Sequence, residues 1–444
     1  MRDYVLTMIV IGIVPVAFVR PWIGVLAWYW IGLMSPHRLT WDFAYAMPFA
    51  QIIAVATLAG AVFARDRKRV PAAPEIWLAL TLLAYFLLTT PLAWAPAEAW
   101  SQLQKVSKII LMTIVTTIFI YSRHRITLLF YVIALSIGFY GFKGGLWVIG
   151  TGGGEQVLGP EGSFIEGNTF IGLALNMVIP VIVALALEEE RPWLRRALFL
   201  VAALSAIASV FTYSRGAWLG LAVVAPLVLF QLRRRGAQVM LVVGLIGLVI
   251  ASPFLLPERM FNRADTLVNY EEDCSANQRF MSWVVHWNIA KDNPLTGGGF
   301  QLEEATDGRY LTYGSDEYLA CFRDRESSAA HNIYFQILGQ HGFVAFFIYI
   351  ALLVVVQVNL MRIRRRAYRD PATRWIGTYA TGLQIGLAGY LVSGAFLSSA
   401  YFDLPWLYFA LTAILARELK AAPGATEARG VQVFPLASRQ RGTL

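Results

Sequence analysis

Charge is scarce in this chain. Asp, Glu, Lys and Arg make up 15% of its 444 residues, hydrophobic residues make up 57%, and mean hydropathy is +0.56. That balance excludes an ordinary soluble domain, because long apolar stretches recur along the whole length, as in a polytopic helical membrane protein. The alternation of a barrel strand is absent, and the apolar runs are too long for one. No small-residue cleavage site follows the first run, Val5 to Val19, so it reads as a retained anchor. No P-loop, G-x-S-x-G or kinase signature is present. Cysteine is reduced to Cys274 and Cys321, which are 47 residues apart and lack the spacing of a zinc cluster. No Asp-x-Asp faces an expected membrane end, so neither a catalytic metal nor another cofactor is expected. A transporter is disfavoured because no halves repeat and the unusual charges lie toward span ends rather than the midplane. Nothing points to nucleic acid.

The charges that are present set a topology. Basic clusters occur at Arg65-Asp66-Arg67-Lys68-Arg69, Arg123-His124-Arg125, Arg191 to Arg196, Arg233-Arg234-Arg235, Arg362 to Arg369 and Arg417 to Lys420. Two apolar spans separate each consecutive pair: 76–92 and 106–121, 126–149 and 168–187, 197–213 and 217–231, 237–256 and 338–361, 375–399 and 404–416. An even count in every interval puts all six clusters on one side, which the positive-inside rule makes cytoplasmic. The opening region supplies crossings near 5–34 and 48–64. The fold expected is therefore all-α and polytopic, with about 12 transmembrane helices and both termini cytoplasmic. Arg20-Pro21 interrupts 5–34, which leaves one broken span or two short helices open. The expected organisation is transmembrane helices over 1–256, a large, mostly helical outer loop over 257–337, transmembrane helices over 338–420, and a disordered Gly-, Ala- and Arg-rich tail over 421–444.

Scarcity of acid makes that loop conspicuous. Thirteen of the chain's 28 acidic residues fall between Pro257 and Ala330, beside seven basic ones, for a net charge of −6. Both cysteines lie in this loop, and an oxidising exterior would make Cys274 and Cys321 a plausible disulfide.

Three segments carry candidate chemistry. Ser214-Arg215-Gly216 occupies a tight outer turn between two short spans. A guanidinium at that depth is costly unless paired, and its planar donor fork suits phosphate oxygens, although a snorkelling arginine is the plain alternative. In the loop, Asn277 to Lys291 reads as an amphipathic helix carrying Arg279, with Phe280, Trp283 and Trp287 on one face, stopped by Asn293-Pro294 and a glycine run. Arg279 could reach a ligand at the membrane surface or pair with a loop acid. His331-Asn332-Ile333-Tyr334 stands where the loop meets the next span. Histidine can act as a base near neutral pH, while a lone histidine is more often structural. Lys105, Lys108 and Lys143 are outer-side cations that could gather round a phosphate or snorkel.

Taken in order, Ser214-Arg215-Gly216, Arg279, Trp287, Asn293 to Gly299, then His331-Asn332, Tyr334 and Gly342 resemble the O-antigen ligase superfamily. That superfamily also contains O-antigen polymerases and bacterial O-oligosaccharyltransferases. The resemblance covers roughly residues 205–345. Lys143-Gly144-Gly145 and Leu158 to Ile165 resemble the branch called putative O-glycosylation ligases. The resemblance implies glycan transfer from undecaprenyl diphosphate to a hydroxyl of lipid A–core oligosaccharide, on the periplasmic face of a bacterial inner membrane. It further implies Arg215 and Arg279 at the donor diphosphate, with Lys105, Lys108 and Lys143 as lesser contributors. His331 would be the base of an inverting displacement, with Ser214, Asn332 and Tyr334 in support. A protein hydroxyl or a second lipid-linked glycan remains open as the acceptor.

Overall fold

A computed structural model describes residues 1–65, 70–232, 274–319 and 327–422. The clusters at 66–69 and 233–235, the expected span 237–256, the loop to 273, Cys321 and the tail from 423 lie outside the described residues. Among the described residues, regular structure is helical apart from one isolated bridge between Gly159 and Gly167.

The principal helices are α1 (Arg2–Val19), α2 (Pro21–Met34), α3 (Phe49–Phe63), α4 (Pro74–Thr89), α5 (Pro96–Phe119), α6 (Ser122–Thr151) and α7 (Gly167–Glu188). They continue with α8 (Pro192–Val210), α9 (Arg215–Leu232), α10 (Cys274–Asp292), α11 (Ile333–Ala367), α12 (Arg374–Ser393) and α13 (Asp403–Ala421). Proline opens α2, α4, α5 and α8, where its missing N–H would have had no helical partner. Seven described helices, namely α1, α4, α6, α7, α8, α9 and α11, are long and apolar enough to cross a membrane. Shorter apolar helices form α2 and α3, and α5, α12 and α13 occupy three further expected spans.

The core is organised round α7, in which every residue from Ile171 to Ala186 is buried. Glycines let its neighbours approach: a Cβ on Gly382 would lie 2.8 Å from the Pro180 carbonyl oxygen, and one on Gly386 2.5 Å from that of Met177. The helices α6 and α8 meet likewise, through Gly141 against Ser205 and Gly145 against Leu204. Small residues at such contacts let backbones close where apolar surface alone provides no drive between helices in lipid.

The opening stretch is two helices, and this changes the chain's polarity. Asp3 accepts hydrogen bonds from the Asp42 and Ala44 N–H groups, while the Phe18 carbonyl lies where a Cβ of Gly60 would stand. So α1 runs parallel to α3, and α2 returns between them with Gly24 against Ala17 and Thr57. Met1 therefore lies at the end of the bundle that carries residues 35–47. The described basic clusters collect at the other end: Arg123 pairs with Glu188 at 3.6 Å and faces Trp375, and Arg417 donates to the Thr117 and Ile120 carbonyls. The even count that put both termini on one side fails because Arg20-Pro21 turns the chain back instead of bending one span.

Candidate active site

Two helix N-termini meet at one turn. Arg215 starts α9, preceded by Tyr213 at φ +54° and by buried Ser214, whose Oγ accepts from the Ala217 N–H at 3.4 Å. His331, at φ +47°, precedes α11; the Asn332 side chain caps that helix by accepting from the Tyr334 and Phe335 N–H groups at 2.8 and 3.2 Å. Asn is the kind of residue that satisfies such orphan donors. Both termini rest on residues 393–400, between α12 and α13. A Cβ on Gly216 would stand 3.0 Å from Phe396, Gly394 packs on Ile333, and the His331 N–H donates to Ser398 Oγ at 2.7 Å. Gln336 accepts from the Ala400 N–H at 3.1 Å, and the Tyr334 hydroxyl donates to the Leu391 carbonyl at 3.0 Å.

Asn176 holds this turn from below. Its Nδ2 donates to the Ala217 carbonyl at 2.8 Å and to Ser393 Oγ at 3.2 Å, and its Oδ1 accepts from Ser209 at 2.8 Å. One fully buried amide thus ties α7, α8, α9 and α12 together under Arg215. Sequence reasoning passed over it. A lone asparagine inside an otherwise apolar span was the available signal.

The loop helix α10 brings Arg279. One turn after it on the same face, Trp283 donates to the Ala330 carbonyl at 3.0 Å and stacks on Phe335 with centroids 5.6 Å apart. Arg279 is half-buried one turn before Trp283. His286 lies further along α10, fully buried, with Nδ1 at 2.7 Å from the Ser282 carbonyl. Burial pushes its pKa down to about 4, the Ser282 carbonyl opposing and the charge of His331 adding to the depression. It is neutral near pH 7 and packs on Gly339.

The glycine run does more than end a helix. α11 breaks at Gly342, which adopts φ +73° and ψ −173°. Into that break the loop after α10 inserts: the Gly298 and Gly299 N–H groups donate to the Gly339 and Gln340 carbonyls at 2.9 and 2.8 Å, and the Phe343 N–H donates to the Pro294 carbonyl at 2.8 Å. Carbonyls freed by the break are satisfied by the loop. A short nine-residue segment, 333–341, is thereby braced at its far end while His331 stands at its near end. His341 is buried there between Phe86 and Phe300, with Nδ1 at 2.7 Å from Thr89 Oγ1.

The lysines are placed elsewhere. Lys143 is exposed on a face of α6 with Phe139, Leu146 and Trp147, opposite the glycines that meet α8. Lys105 and Lys108 are exposed on α5, one and two turns beyond Gln102, which meets Gln301. Among the described residues none of the three hydrogen-bonds or ion-pairs with Arg215, Arg279 or His331. Cys274 is disulfide-bonded; Cys321, its expected partner, lies outside the described residues.

The described architecture is that of a helical bundle with a polar site at one end. Residues 200–350 match the O-Antigen ligase family, and residues 1–189 match a family of unknown function (DUF5935). The match over residues 200–350 supports the O-antigen ligase superfamily. That segment contains Ser214, Arg215, Arg279, His331 and the Gly342 break. A search of curated proteins returns no match.

Proposed function

We propose that this protein is a ligase-type glycosyltransferase. It moves O-antigen glycan from undecaprenyl diphosphate to a hydroxyl of lipid A–core oligosaccharide, on the periplasmic face of a bacterial inner membrane. The observation that carries this reading is the convergence of the α9 and α11 N-termini, with Arg215 and His331, on the 393–400 turn. Helix N-termini carry a positive partial charge, which suits a diphosphate. Arg215 and Arg279 add full charges where negative charge grows as the leaving group departs. His331 takes the acceptor hydroxyl proton while that oxygen bonds the anomeric carbon and the anomeric carbon–phosphate oxygen bond breaks. The electron pair leaves with the lipid diphosphate, and one displacement inverts the anomeric centre. The basic end faces the cytoplasm in this reading, by the positive-inside rule.

The test is glycan transfer by purified protein, with EDTA present, from undecaprenyl-diphosphate-linked O-antigen to lipid A–core. Wild type is expected to transfer. Arg215→Ala should lose on the order of 10²–10³ in rate, as for comparable oxyanion donors. His331→Ala at the wild-type rate would remove the proposed base. Chain growth on a second lipid-linked glycan, or transfer to protein alone, would reassign the acceptor.

A further inference from the structure

The segment matching the family of unknown function contains a second cationic site that the ligation reading leaves unused. Residues 35–47 fold at the same end of the bundle as His331 and are shaped by Asp3, whose Oδ1 accepts from two of their N–H groups. Arg38 projects from this loop. Its guanidinium carbon lies 4.6 Å from the Tyr45 ring centroid, and on its other side is the backbone of Gly162. A Cβ at Gly162 would stand 3.0 Å from both Cζ and Nη1, and its φ of +68° is also one that glycine alone adopts readily. The guanidinium is therefore clamped flat between a ring and a peptide, with Nε buried and unpartnered.

Among the described residues the Arg38 guanidinium makes no hydrogen bond and no ion pair, although carboxylates are close in sequence on both loops. Glu166 accepts from the Gly162 N–H at 2.9 Å, and Tyr45 donates to the Glu161 carbonyl at 3.4 Å. A second pair stands beside the first: Arg2 lies 4.5 Å from the Trp41 ring centroid, and Trp41 is 82% exposed. Oriented cations next to open aromatic faces match a sugar bearing an oxyanion, since the ring receives the apolar sugar face and the fork receives the charge. The Gly162 loop is also tied to the Arg215 turn: the Val157 N–H donates to the Phe211 carbonyl at 2.9 Å, and Asn168 donates to the Thr212 carbonyl at 3.0 Å.

We propose that Arg38, clamped between Tyr45 and Gly162, is a substrate-binding subsite for a phosphate or carboxylate carried on a saccharide. It rests on the proposed transfer reaction for the identity of its substrates, but not for binding itself. The test uses full-length protein in nanodiscs of zwitterionic lipid, comparing wild type with Arg38→Gln, Arg38→Lys and Gly162→Ala. Binding is measured for lipid A–core with its phosphates, for the dephosphorylated molecule, and separately for undecaprenyl-diphosphate-linked glycan. Arg38→Gln is expected to weaken one phosphorylated ligand about tenfold, the scale of a charge-assisted hydrogen bond. Loss confined to phosphorylated lipid A–core assigns the subsite to the acceptor, and loss confined to the lipid-linked glycan assigns it to the donor. Arg38→Lys should keep charge but not the fork, and recover part of the loss. Equal weakening of phosphorylated and dephosphorylated acceptor with unchanged donor binding, or no weakening of any ligand, overturns the proposal. Failure of wild type to transfer glycan while these differences persist would refute the reaction and leave the subsite standing.

Discussion

At the scale of single residues, the site depends on side chains that hold backbone as much as on those proposed to react. Asn332 caps α11 directly after His331, and Asn332→Ala should cost about 1 kcal/mol of stability, typical of a lost N-cap. It should also lower kcat more than it raises donor KM, because the base loses its bearing while the arginines stay; thermal unfolding and steady-state kinetics together check this. Glu303 offers a second residue-scale prediction. It is half-buried, its Oε2 is shielded without a partner, and burial raises its pKa to about 7, with its own backbone N–H and Gln340 opposing. A carboxyl with a raised folded pKa gives stability that is full below its ordinary value near 4.5 and lost as pH rises through 7. His286 runs the other way, its contribution present above 6.5 and lost as pH falls through 4. Glu303→Gln should therefore raise the melting temperature at pH 8 relative to wild type and change it little at pH 4. An unchanged melting temperature at pH 8 would contradict the burial of that carboxyl.

At the scale of elements, the break in α11 and the loop after α10 are one device. Neither is stable alone, since the break exposes carbonyls and the loop carries N–H groups that must be paired. Gly342→Ala would combine a positive φ with a Cβ 2.4 Å from the Pro294 carbonyl oxygen, and Gly297→Ala would place one 2.4 Å from that of Gly339. Both should lower the melting temperature by several degrees and cut transfer at least tenfold. Gly150→Ala, with nothing within 4 Å, is the control expected to leave both unchanged. The glycine run was legible in the sequence as a chain-turning signal, but its target was not. A turn signal is local, whereas the carbonyls it satisfies belong to a helix about 40 residues further on.

At the scale of the molecule, α1 and α2 fold back on each other and place Met1 at the His331 end, opposite Arg417. Under the proposed orientation, a tag at Met1 should be reached by impermeant reagents from the periplasm. A tag following residue 421 should be reached only after the inner membrane is opened. Labelling of both tags from the same side would refute this arrangement. The sequence by itself determined the class: apolar stretches this long must be helices in lipid, and basic clusters on one side of them follow from the cost of moving charge across. It also offered Arg215, Arg279 and His331 as the candidates on which the proposed function rests, because charges and polar turns beside a membrane stand out against an apolar chain. Only the tertiary structure decided that Arg20-Pro21 reverses the chain, that Asn176 and the 393–400 turn join α9 to α11, and that Arg38 is clamped by Gly162. Each depends on partners distant in sequence, or on whether a proline bends or turns a chain. Packing of specific surfaces settles such choices, and no local pattern records it.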